Sequence, residues 1–90
     1  MKTIRDVMNM PVTNFELSVR CSNCLKNMNI TTLAELTAKK EEDFSHIRNM
    51  GKTSIGLVKG LVESLGLCFG MTDRDWLQWG LMNKEWILSH

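Results

Sequence analysis

Two short stretches of this chain carry residue types that could hold an anion. In Asn49-Met50-Gly51-Lys52-Thr53-Ser54 a turn runs straight into a helix start. The first-turn N–H groups of a helix have no internal acceptor, and the dipole is positive at that end. Together they make a ready phosphate site. Gly51 lets another backbone come close, Lys52 adds charge, and the hydroxyls of Thr53 and Ser54 can donate. The second stretch is Arg20-Cys21-Ser22-Asn23-Cys24-Leu25-Lys26. Arg20, Asn23 and Cys24 stand at i, i+3 and i+4, so a helix puts them on one face. Lys26 falls on a neighbouring face. Arginine suits phosphate contacts and insertion into a narrow A-tract minor groove. The chemistry these stretches point to is a grip on duplex DNA, mostly through phosphate.

Other chemistries fit less well. Cys21 and Cys24 form a Cys-x-x-Cys, but a zinc site needs a second ligand pair at matching spacing, and His46 and Cys68 stand alone. A redox pair of this spacing belongs in a βαβ setting, which the sequence lacks. Gly51-Lys52-Thr53 matches the end of a nucleotide-binding P-loop, yet His46 occupies the required upstream glycine position. Asp73, Asp75 and Glu85 read as cap and solvent residues. Two histidines, His46 and His90, support no Ser/His/Asp set. We therefore expect no enzyme activity, no metal and no cofactor.

The elements that must position these residues are helical. The protein has 90 residues, enough for one domain, 1–90, whose stability should be on the order of 5 kcal/mol. Period-two alternation is absent, and helix signals recur. Ile4 to Met10 could make a single turn, set apart by Pro11, the only proline. Ser18 caps a first helix in which Val19, Cys21, Cys24, Leu25 and Met28 lie near one face, ending around Asn27–Asn29. Thr32-Leu33-Ala34-Glu35 is a capping box that opens a short second helix. A third, roughly Glu41 to His46, carries acidic residues in its first turn and anchors on Phe44 and Ile47. The fourth runs from Lys52 to Ser64, with Gly66 as its stop. Gly56 and Gly60 inside it cost about 1 kcal/mol each relative to alanine, which predicts close helix packing there. The third and fourth helices with their turn form a helix-hairpin-helix. After an extended linker, Leu67–Met71, Thr72-Asp73-Arg74-Asp75 caps a last helix over 72–88. The fold class is thus all-α: a compact bundle of four to five short helices with a helix-hairpin-helix, its core over about 10–71, plus a C-terminal tryptophan-rich helix. Met8, Met10, Met28, Met50, Met71 and Met82 read as gap-filling core or turn residues.

These residues also carry a family resemblance. Pro11-Val12, then Phe15-Glu16-Leu17-Ser18-Val19-Arg20-Cys21-Ser22-Asn23-Cys24-Leu25-Lys26, resembles the opening of the C-terminal domain of the bacterial RNA polymerase alpha subunit. Asn49-Met50-Gly51-Lys52-Thr53-Ser54-Ile55 is a second match, and Leu65-Gly66-Leu67-Cys68-Phe69-Gly70-Met71 with Trp76 a third. The resemblance covers roughly residues 10–76. It implies a non-enzymatic, transcription-linked domain that binds AT-rich upstream promoter DNA through the minor groove and contacts sigma factor and activators. On that resemblance Arg20 matches the minor-groove arginine. Asn23, Cys24, Gly51 and Ser54 match other DNA-facing positions, Lys26 a supporting basic one, and Glu16 a protein-contact one. Lys52 belongs to the same hairpin match. The sequence departs from the family pattern at Thr53, where a second lysine is usual, at Leu57, where glutamate is frequent, and at Asn14, where an acid is common. Beyond Trp76 it runs on to His90 with two further tryptophans.

Charge and composition bound the partners. Hydrophobic residues make up 43% and charged residues 23%, as in ordinary globular proteins. The net charge is +1, weak for a nucleic-acid binder, so DNA affinity should be low and salt-sensitive. Charge enters within the first six residues, so no signal peptide is expected, and apolar runs are far short of the roughly 20 residues of a membrane span. We expect a cytoplasmic, nucleoid-associated protein with reduced thiols and no membrane partner. The last helix is apolar nearly all round. Either it folds back as core, or Trp79 and Trp86 form a patch for a protein partner or for self-association. The rival to the DNA reading is a protein-interaction module that keeps the fold and has lost DNA binding.

Overall fold

The computed structural model describes residues 2–47 and 51–89. It opens with an N-terminal signal that is easy to overlook. Thr3 and Asp6 form a reciprocal capping box: Thr3 Oγ1 accepts from the Asp6 N–H, and Asp6 accepts from the Thr3 N–H at 2.8 Å. This starts α1, Ile4–Met8, which buries Val7 completely. After the 3-10 turn Val12–Asn14 comes α2, Val19–Asn27, capped as expected by Ser18 Oγ on the Cys21 N–H. Just past α2, Asn29 takes the left-handed region, φ 61°, and Ile30 N–H reaches back to Leu25 O at 2.9 Å. Asparagine tolerates that conformation better than most residues.

α3, Leu33–Ala38, starts at the expected Thr32–Glu35 box, and α4 spans Glu41–Ser45. α5 spans Lys52–Ser64. Gly66, φ 74°, closes it, and Leu67 N–H bonds back to Val62 O at 3.0 Å. That turn needs a residue at positive φ, which glycine adopts without a Cβ clash. The linker then folds under the bundle: Gly70 and Met71 N–H groups donate to Lys39 and Thr37 carbonyls, each at 2.9 Å.

Three carboxylates are held below their ordinary values by these caps. Asp6 and Asp75 are lowered first by the N–H of Thr3 and of Thr72, then by those hydroxyls. Glu35 is lowered first by the Thr31 hydroxyl, then by the Thr31 N–H and by Thr32.

The expected last helix is two. α6, Asp73–Met82, opens on the Thr72–Asp75 box, and α7 is Lys84–Ser89. Asn83 makes the break, its side-chain amide donating to Trp79 O at 2.8 Å. The described residues therefore form seven α-helices and one 3-10 turn, with an isolated antiparallel bridge between Pro11 and Thr32. The all-α expectation stands; the extra elements are the N-terminal turn grown into α1 and the tail divided at Asn83.

One buried cluster joins these helices. It runs through Leu25, Leu33, Leu36, Phe44, Val58 and Val62. It also takes in Val7, Trp76, Trp79 and Ile87, beyond the expected 10–71 limits. α1 packs on both α3 and α6, so the segment before Pro11 is core and not an appendage. Two expectations fail on packing. A Cβ on Gly56 or Gly60 would meet nothing within 4 Å, so both glycines face open space. Gly80 is the close-approach glycine instead, since a Cβ there would overlap Cδ1 and Cγ1 of Ile4. Val19 is 78% exposed, because it lies about 200° around the helix from Cys21.

Candidate nucleic-acid interface

α2 and α5 pack against each other at their N-terminal ends. Cys21 is fully buried between them, and its Sγ–H points at Ser54 O, 3.7 Å away. Burial pushes the Cys21 thiol above its ordinary value, and neighbouring Cys24 adds to the shift. A thiol held protonated is a packing group and weak donor, not a nucleophile or metal ligand. Among the described residues no group of three or more His, Cys, Asp or Glu could hold a metal ion. Cys21 is thus a packing residue at the seam between the two helix starts.

Around that seam the expected DNA-facing residues divide. Arg20, Asn23 and Lys26 of α2 are exposed, as are Gly51, Lys52 and Thr53 at the start of α5. Val19, Arg20, Asn23, Cys24 and Asn27 line an open depression of about 410 Å³. Cys24 reaches only its floor, being 6% exposed. Ser54 is also 6% exposed, so its side chain faces the core and its contribution to any external ligand comes through the backbone. Gly51 is the N-cap of α5 and has no side chain to cap with, so the first-turn N–H groups of Lys52, Thr53 and Ser54 have no side-chain cap from it and no acceptor inside the helix. A Cβ on Gly51 would meet nothing within 4 Å, leaving the approach open. Asn49 and Met50, the rest of the expected turn, lie outside the described residues. Sequence periodicity missed Val19, whose exposed apolar side chain sits beside Arg20 in the depression. Its position at the first helical residue, off the buried stripe, was the available signal.

The expected protein-contact residues fare differently. Glu16 is exposed in the extended segment before α2. Trp79 is not a contact residue on this structure: it is 5% exposed, and its indole N–H donates to Leu65 O at 2.7 Å. It also stands edge-on to both Trp76 and Trp86, with ring centroids 5.6 Å apart in each pair. Trp86 is half-buried on the outer side of that stack. The tail has folded back as core because each indole finds an aromatic edge, and Trp79 a carbonyl as well. The apolar surface left outside belongs to Leu77, Leu81, Met82 and Leu88. Among the described residues, no helix is long and apolar enough to cross a membrane.

By fold, then, this is a small all-helical domain with two helix starts pinned side by side and polar and basic groups turned outward. The family of the C-terminal domain of the bacterial RNA polymerase alpha chain matches residues 1–64, and this protein belongs to that family. It is 46% identical over 59 residues to the DNA-directed RNA polymerase subunit alpha of Oceanobacillus iheyensis and, equally, to that of Bacillus velezensis. In both cases the match covers 66% of this protein and 19% of the relative, so it spans about a fifth of those subunits. The NMR structure of the C-terminal domain of the Helicobacter pylori RNA polymerase alpha subunit superposes with a TM-score of 0.68 at 23% identity. That superposition covers 94% of this protein and 76% of the other, and it supports the fold.

Proposed function

We propose that this protein is a non-enzymatic DNA-binding domain working in transcription, gripping AT-rich duplex DNA through the minor groove and its flanking phosphates. The observation that carries this reading is the pairing of the α2 and α5 starts across Cys21 and Ser54. Arg20 and Asn23 then face outward beside an α5 terminus whose amides are uncapped by its glycine. In this reading Arg20 enters the groove, Asn23 and Val19 contact its walls, and Lys26, Lys52 and the Gly51–Ser54 amides hold phosphate. Cys24 and the Ser54 side chain act by packing. Family membership supports the same reading, and RNA polymerase, sigma factor and activators are the protein partners it suggests, with Glu16 as one contact. Residues 1–90 would act as one unit in the bacterial cytoplasm.

The test is fluorescence anisotropy with an AT-rich duplex at low and moderate salt, comparing wild type with Arg20→Ala. We expect weak, saturable binding that falls with salt, and a loss of at least tenfold in the variant. A wild type that does not bind even at low salt would falsify the reading and leave a protein-interaction module as the function.

A further inference from the structure

We propose that the groove between α1 and the α6–α7 corner is a docking site for an acidic amphipathic helix of another protein. It is independent of the DNA reading and uses none of the same residues.

The groove holds about 400 Å³ and is lined by Ile4, Leu81, Ile87 and Leu88, with Lys2 and Lys84 among its charged and polar residues. Its floor is fixed in place: Ile4 is pressed against the bare backbone of Gly80, and Ile87 is part of the buried core. A volume of this size is within the range of roughly 300–1,000 Å³ that ligand clefts occupy. The apolar surface does not stop at the cleft. Leu77 and Leu81, one turn apart on α6, are 60% and 64% exposed, and Leu88 on α7 is 65% exposed. Monomeric proteins rarely leave so many large apolar side chains together in water without a use for them. A small molecule would fill the cleft between Leu81 and Leu88 and leave Leu77 wet. An extended partner covers both, and a helix presenting apolar residues at i, i+3, i+4 and i+7 has the right repeat.

Charge selects the partner. Both ionisable residues lining the groove are lysines, and no carboxylate lines it. A second copy of this protein, approaching through the same groove, would bring lysine towards lysine. Glutamates or aspartates flanking an apolar stripe instead meet Lys2 and Lys84 at the rim, where opposite charge raises association rate and selects against basic partners.

The experiment is a display selection on the 90-residue protein. The probe is a library of helical peptides with fixed leucines at i, i+3, i+4 and i+7 and flanks randomised between Glu and Lys. Enrichment of Glu-flanked members, at least tenfold over Lys-flanked ones, is expected. The variant Lys2→Glu/Lys84→Glu should reverse that preference, and Leu81→Asp should abolish enrichment while circular dichroism and Tm stay near wild type. Leu88→Asp serves as a second variant if Leu81→Asp unfolds. Enrichment without charge preference, or none, overturns the proposal. So does a wild type that sediments as a dimer and becomes monomeric on Leu81→Asp, which would give the groove to a second copy. So would binding to anionic lipid vesicles with no peptide enriched, which would give it to a membrane surface.

Discussion

Replacing Trp79 by phenylalanine keeps an aromatic ring in the core and removes what the indole adds. The N–H to Leu65 O bond, 2.7 Å long, is lost. A net hydrogen bond contributes about 1 kcal/mol, and this one is partly buried. Three heavy atoms leave a site that is 5% exposed, at about 0.8 kcal/mol per methylene-sized group. Some of the edge-on contact with Trp76 and Trp86 goes with them, for about 0.5 kcal/mol more. Allowing for partial relaxation, the loss comes to about 3 kcal/mol, a large share of the stability of a protein this size. At about 4–8 °C per kcal/mol for small domains, Tm should fall by roughly 12–24 °C. Urea denaturation followed by far-UV circular dichroism measures the change, with the slope m unaltered. The control is Leu81→Ala, on the solvent side of α6, which should stay within about 0.5 kcal/mol. A Trp79→Phe loss below about 1 kcal/mol would refute the placement of Trp79 as the keystone of the folded-back tail.

Other outcomes follow from the same packing. Gly80→Ala should destabilise by about 1–3 kcal/mol through overlap with Ile4, and Ile4→Val should recover part of that in a double-mutant cycle read by Tm. Gly56→Ala should do the opposite, stabilising α5 by up to about 1 kcal/mol in urea titrations, because its new methyl meets open space. The carboxyls of Asp6, Glu35 and Asp75 are lowered in the folded state, so between their unfolded and folded values the unfolded chain binds more protons. The stability they contribute is present above the unfolded values, about 4, and is lost as pH falls through the lower folded ones. Tm measured from pH 6 downwards should therefore drop below about pH 4.5, and less steeply in Thr72→Val/Thr3→Val.

Much of the scaffold was legible because capping is a local code. Ser18, the Thr32–Glu35 pair and the Thr72–Asp75 pair each opened a helix where side-chain oxygens could reach N–H groups three residues on. Thr3–Asp6 spells the same code, yet Pro11 following so closely suggested a detached turn. What sequence could not supply was the tertiary contact that draws α1 in, Val7 against the α3 and α6 side. The glycines failed for the same reason. Three helical glycines look alike in sequence, and only the crossing of a distant Ile4 over Gly80 distinguishes it from Gly56 and Gly60. On the candidate interface, spacing gave the shared face of Arg20 and Asn23. It could not say that Cys24 and Ser54 turn inward, since that depends on α2 meeting α5. The all-round apolar tail was ambiguous because one face serves the core through Trp76 and Trp79 while the other carries Leu77 and Leu81 outward.

The crossing of Ile4 over Gly80 also sets how the fold can come apart. Joining residues so distant in sequence costs loop-closure entropy that grows as (3/2)RT ln n, about 4 kcal/mol for a loop of this length before any constant. No single short-range contact offsets that, so the clasp holds only while Val7, Trp76, Trp79 and Ile87 are all seated. The first helix and the last two thus form one cooperative opening unit, although they lie at opposite ends of the sequence. Amide exchange in α1 and α6 should proceed at matched free energies, and the α2–α5 layer should be able to outlast both.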